Sequence, residues 1–105
     1  MSEVSEKLFL EQVIQLLKVN GWLYHHPSPH KAGEKAWRTD GAGFPDLVAI
    51  HPLHGCIWVE LKTMEGRLTP LQKVWGNVLK NIGQEYYVWR PNQIQLIADR
   101  LSGKL

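Results

Sequence analysis

Cysteine is nearly absent. Cys56 stands alone among 105 residues, so no internal disulfide can form and a reducing interior suits the chain. Missing too is any apolar run approaching the roughly 20 residues of a membrane-spanning helix. The opening Met1-Ser2-Glu3-Val4-Ser5-Glu6-Lys7 is too polar for a secretory signal. No internal repeat, linker or low-complexity tract breaks the chain, which predicts one compact domain over residues 1–105, cytoplasmic and away from membranes. Neither sign of charge dominates: the formal net charge is +2, compatible with a nucleic-acid partner without requiring one. The apolar share of 44% and charged share of 21% are those of an ordinary folded domain.

What is present reads as alternating helices and strands. From about Ser2 to Asn20, Leu10, Val13, Ile14 and Leu17 recur at three- and four-residue steps, with Asn20-Gly21 as the stop. Glu11 falls just outside that stripe, on the side of Lys7 and Lys18. It is either an exposed carboxylate paired with Lys7, worth about 0.3–0.5 kcal/mol, or a boundary carboxylate aimed into a site. Trp22 to His26 reads as a short strand ended by Pro27. Residues 27–43 form a loop carrying Lys31, Lys35, Trp37 and Arg38, a mixture suited to tracking a phosphate backbone with an aromatic ring for a base. A plain solvated loop is the alternative.

Phe44 to Ile50 and Cys56 to Lys62 are rich in β-branched and aliphatic residues, and His51-Pro52-Leu53-His54-Gly55 between them is a hairpin connection. A turn centred near Leu53 sets Ile50 against Cys56 and Asp46 against Glu60. Opposed side chains lie roughly 4.5–5.5 Å apart at Cβ. Alternation then puts Trp58, Glu60 and Lys62 on one face and Ile57, Val59 and Leu61 on the other. Further on, Thr69-Pro70-Leu71-Gln72 is a helix start with a capping box, followed by the stripe Leu71, Val74, Trp75, Val78, Leu79 and Ile82, and closed by Gly83. Tyr86 to Trp89 reads as a strand. Asn92 is the expected cap of a last helix bearing Ile94, Ile97, Ala98 and Leu101. The predicted class is α/β, a mixed sheet flanked by helices in the order αβββαβα.

Two facing carboxylates repel and raise at least one pKa unless positive charge lies close. Lys62 on the same face is one source, and a divalent cation is the other. Mg²⁺ takes oxygen ligands, commonly one or two carboxylates with waters and phosphate oxygens. The Leu61 backbone carbonyl is a further candidate donor. Such an ion activates water and neutralises charge building on a phosphodiester, with Lys62 as base or charge stabiliser. The bland alternative is a solvated hairpin face with Asp46 capping a turn. Trp58 on that face, and Gly41-Ala42-Gly43 allowing close backbone approach by a phosphate, favour the site.

Gly43-Phe44-Pro45-Asp46 followed by Glu60-Leu61-Lys62 resembles the PD-(D/E)xK nuclease signature. With Gly66-Arg67-Leu68-Thr69-Pro70-Leu71-Gln72 behind it, the chain is similar to the virus-type replication-repair nuclease (VRR-NUC) family over about residues 8–90. The resemblance implies a restriction-endonuclease-like core and an Mg²⁺- or Mn²⁺-dependent phosphodiesterase cutting DNA, with no small-molecule cofactor. It implies Asp46 and Glu60 as metal ligands, Lys62 as the catalytic lysine, and Gln72 as the helix glutamine beside the site. Glu11 would be the first-helix glutamate, with Glu3 and Glu6 as substitutes. Lys31, Lys35, Trp37, Arg38, Arg67 and Lys73 are the DNA-contacting candidates. Stand-alone members of the family imply a homodimer acting on branched DNA such as four-way junctions.

Two other readings compete. His51, His54 and Cys56 offer at most three soft ligands in one tight turn with no CxxC partner, so turn residues are the better account than a zinc knuckle. A non-catalytic DNA-binding module with the same fold is the alternative from another functional class, and a complete acidic constellation speaks against it.

Overall fold

The computed structural model describes residues 4–27 and 41–104. Helix α1 runs Glu6–Val19, opened by Ser5, whose hydroxyl accepts from the Leu8 N–H. Its buried line is Phe9, Val13 and Leu17, with Leu10 and Ile14 only flanking it. The contact line therefore sits one residue away from the expected centre, because the largest side chain, Phe9, takes the deepest place. Asn20 and Gly21 turn the chain through Trp22 into strand β1, Leu23–His25.

Strands β2 (Leu47–His51) and β3 (Gly55–Leu61) form the hairpin, and their register pairs Ile50 with Cys56 and Leu47 with Val59. One step further that register brings Asp46 opposite Glu60, as the turn length required. Thr69 then opens helix α2, Pro70–Asn81, with both capping-box hydrogen bonds made to Gln72. Helix α2 is the crossover to strand β4, Glu85–Trp89, which lies parallel to β3. A 3₁₀ turn, Pro91–Gln93, leads into helix α3, Ile94–Leu101. Asn92 does not cap this helix; the turn places Gln93 at the junction, and its side chain accepts from the Arg90 N–H. The sheet order is β1-β2-β3-β4. No helix among the described residues is long and apolar enough to cross a membrane.

Alternation along β2 and β3 divides the sheet into two unlike faces. Leu47, Ala49, Ile57, Val59 and Leu61 join Phe9, Val13, Leu17, Ile97 and Leu101 in one apolar cluster, so α1 and α3 cover that face. The other face carries Trp58, Glu60 and Tyr86 and is covered by α2. Gly76 lets α2 come down on the sheet, since a Cβ there would stand 2.6 Å from the Tyr86 ring. This nesting turns the line of Gln72, Gly76 and Leu79 inward. Much of the expected apolar stripe consequently faces outward: Leu71, Val74, Val78 and Ile82 are all at least half exposed, while Leu79 is buried.

The hairpin-turn end of the sheet is fastened by Arg100. Its guanidinium bonds both Glu85 oxygens and the His54 carbonyl, and the Trp22 indole N–H reaches the Leu101 carbonyl. His51 and His54 stack on each other beside Trp22. Burial and the Glu85 charge push the Cys56 thiol up. Among the described residues, no group of three or more His, Cys, Asp or Glu is arranged around a common point.

Candidate active site

The opposite end of the hairpin is built around Asp46. Pro45 precedes it, and β2 begins only at Leu47, so Asp46 stands just outside the ladder and takes its partners by other means. Its N–H donates to Glu60 Oε1 at 3.1 Å, and its Oδ2 accepts from the Leu61 N–H at 2.8 Å. Its carbonyl oxygen accepts from His26 Nδ1 at 2.8 Å. The two carboxylates are thereby locked to each other across neighbouring strands. Lys62 follows on the same face by alternation and is half-buried.

Three aromatic rings from Phe44, Trp58 and Trp75 pack on one another next to these strands. Phe44 meets Trp75 edge-on at 4.8 Å and Trp58 at 6.0 Å. The Trp58 indole donates to Gln84, and that of Trp75 to the Ala42 carbonyl. Glu60 is only 1% exposed, and its Oε2 is buried without a hydrogen-bond partner. An orphaned carboxylate oxygen is costly. Burial, then the Asp46 charge, pushes the Glu60 carboxyl up to about 8, while the Lys62 ammonium pulls the other way. Burial and the charges of Glu60 and Asp46 also push the Tyr86 hydroxyl up to about 12, so this ring shares the pair's field.

The remaining predicted residues are distributed unevenly. Gln72 lies on the sheet-facing line of α2 at its N-terminus, and its Oε1 is held by the cap to Thr69. Because α2 runs back to start a strand parallel to β3, its N-terminus lies at the Glu60 end of the sheet. Glu11 is exposed and lines a groove with Gln12, Gln15, Leu16 and Ile94 on the covered-core side of the fold. Helical geometry turns it away from the line of Phe9, Val13 and Leu17, and the structure does not bring it to Asp46. Glu6 is on that line, in the first turn of α1. The helix's other end abuts the hairpin turn, where Gly21 meets His51, so Glu6 sits toward the Asp46 end. Arg67 and Lys73 are exposed. Lys31, Lys35, Trp37 and Arg38 fall outside the described residues, as does Glu3.

Two positions have roles that residue spacing did not disclose. Arg90 donates to the Thr63 and Gly66 carbonyls, each at 2.7 Å, and so fixes the loop that joins Lys62 to α2. Gly43 has φ +87°, and a Cβ there would lie 2.6 Å from the Leu71 backbone carbon. The close approach that glycine permits here is to the start of α2. Gly43→Ala is expected to cost about 2–4 kcal/mol through left-handed strain and the clash. Urea unfolding checks this.

No family model and no curated protein matches the sequence. Among solved structures, one described as a VRR_NUC domain protein is similar, with a TM-score of 0.62 and 20% sequence identity over 95% of this chain and 92% of that one. At that identity the likeness shows the fold: a mixed four-stranded sheet between helices, VRR_NUC-like in arrangement.

Proposed function

We propose that the chain is a divalent-metal-dependent phosphodiesterase that cuts DNA, with Asp46 and Glu60 holding Mg²⁺ or Mn²⁺. The observation that carries the reading is Glu60 Oε2, a buried acceptor without any partner. Two carboxylates at one point, with the Leu61 backbone carbonyl next in line, are hard oxygen donors of the kind these cations take. When bound, the cation supplies positive charge and Lewis acidity at the phosphodiester. Asp46 and Glu60 orient the group through the hydrogen bonds that the Glu60 carboxylate takes from the Asp46 N–H and the Asp46 carboxylate from the Leu61 N–H. Lys62, whose charge is already felt at Glu60, stabilises the negative charge developing on the phosphate. Gln72 orders the start of α2, a helix end that favours phosphate. Among the described residues no first-helix carboxylate joins Asp46 and Glu60 in a group of three, so the centre is proposed on that pair.

Likeness to a protein described by its VRR_NUC domain supports the nuclease reading. Lys31, Lys35, Trp37, Arg38, Arg67 and Lys73 are proposed to contact the DNA. A homodimer acting on branched substrates belongs to the same proposal. Its support is the outward stripe of Leu71, Val74, Val78 and Ile82, whose spacing suits a seam with a second helix.

Supercoiled plasmid and a synthetic four-way junction, each incubated with Mg²⁺, Mn²⁺ or EDTA, test the activity. Strand scission is expected with either cation, absent with EDTA and lost in Asp46→Ala. Junction binding without scission under every metal condition would make the chain a DNA-binding module instead.

A further inference from the structure

Of the three hydrogen bonds that hold Asp46, one comes from outside the hairpin. His26 Nδ1 lies 2.8 Å from the Asp46 carbonyl oxygen. A carbonyl only accepts, so Nδ1 carries the proton in this contact. The reason a side chain is used lies in how β1 ends. The register pairs Leu23 with Ile50 and His25 with Val48, so its continuation would set Pro27 against Asp46. Proline has no N–H to give. The ring of the residue before it supplies the donor that the backbone lacks at that point.

We propose that His26 is a positioning residue for the metal centre: its Nδ1–H fixes the Asp46 main chain so that the Asp46 carboxylate stands against Glu60. The inference rests on the reading of Asp46 and Glu60 as cation ligands. His26 itself is not a third ligand alongside them, since no three such groups converge among the described residues and Nδ1 is engaged with the carbonyl. Its influence passes through the backbone. Asp46 lies between Pro45 and the first residue of β2, where no regular ladder holds the peptide, so the ring bond is what anchors its carbonyl side. Groups that orient a ligand in this way typically change metal affinity by about 10–100-fold when removed.

Asparagine carries its amide nitrogen at the place of histidine Nδ1, and glutamine carries it at the place of Nε2. Calorimetric titration of Mn²⁺ into the wild type, His26→Ala, His26→Asn and His26→Gln therefore separates hydrogen bonding from bulk, with thermal unfolding recorded for each. Mn²⁺ affinity is expected to fall about 10–100-fold in His26→Ala and His26→Gln and to be largely restored in His26→Asn. Variants that all bind as the wild type does, or an Asn variant as weak as the Gln variant, would overturn the proposal. Should the Ala variant not fold, the Asn and Gln pair decides it. A wild type that takes up no Mn²⁺ would instead remove the ligand reading of Asp46 and Glu60, and this inference with it.

Discussion

Glu60→Gln yields a protein that is more stable without metal at pH 8 and has no metal-dependent activity. Glu60 is buried, and in the folded chain its carboxyl is pushed from 4.5 to about 8 by desolvation and by Asp46. In the unfolded chain it ionises near the lower value. Between the two, the folded protein holds a proton that the unfolded chain has released, so folding stability is complete below about 4.5 and drains away as pH rises toward about 8. Glutamine keeps the acceptor for the Asp46 N–H. It cannot ionise. In EDTA, the wild-type melting temperature is expected to fall from about pH 5 to pH 8 while that of Glu60→Gln stays nearly flat, leaving the variant ahead by on the order of 1–3 kcal/mol at pH 8. The same variant is expected to show no Mn²⁺-dependent scission. A variant less stable than the wild type at pH 8 would mean that the carboxylate is well accommodated and has no call for a cation.

Lys62→Ala is expected to lower turnover by about 10²–10⁴-fold at saturating metal while Mn²⁺ binding persists. The ammonium is not needed to hold the cation, but it sits on the charged face where a phosphodiester must lie to meet both. Its loss also removes a charge that draws the Glu60 pKa down, so affinity falls modestly near neutrality and recovers only at a higher pH than the wild type needs. Single-turnover cleavage and calorimetry on the same preparations check the two halves. Wild-type turnover in Lys62→Ala would show that the lysine has no part in the chemistry.

The hairpin was legible in the residues because two β-rich runs of matched length flank one short turn, and this alone sets Ile50 on Cys56 and Asp46 opposite Glu60. The capping box of α2 was equally local, needing only Thr69, Pro70 and Gln72. What could not be read was how faces meet. Periodicity identifies an apolar stripe on α2, but the choice of buried edge depends on Gly76 fitting over Tyr86, from another strand. That Glu11 faces away from the core follows from Phe9 taking the deepest position, a matter of which of several apolar residues packs deepest. His26 was the hardest to foresee. Its partner is a backbone carbonyl twenty residues away, and the one signal for it is a proline where a strand would otherwise have continued.

Whether Asp46 and Glu60 share a cation is tested most directly by titrating Mn²⁺ calorimetrically near pH 7 in buffers of different ionisation enthalpy, which counts protons as well as ions. Saturable binding with release of up to about one proton per cation is expected, because Glu60 must ionise to bind, and both signals should vanish in Asp46→Ala. Absence of saturable binding, or binding that survives intact in Asp46→Ala, would contradict the shared site.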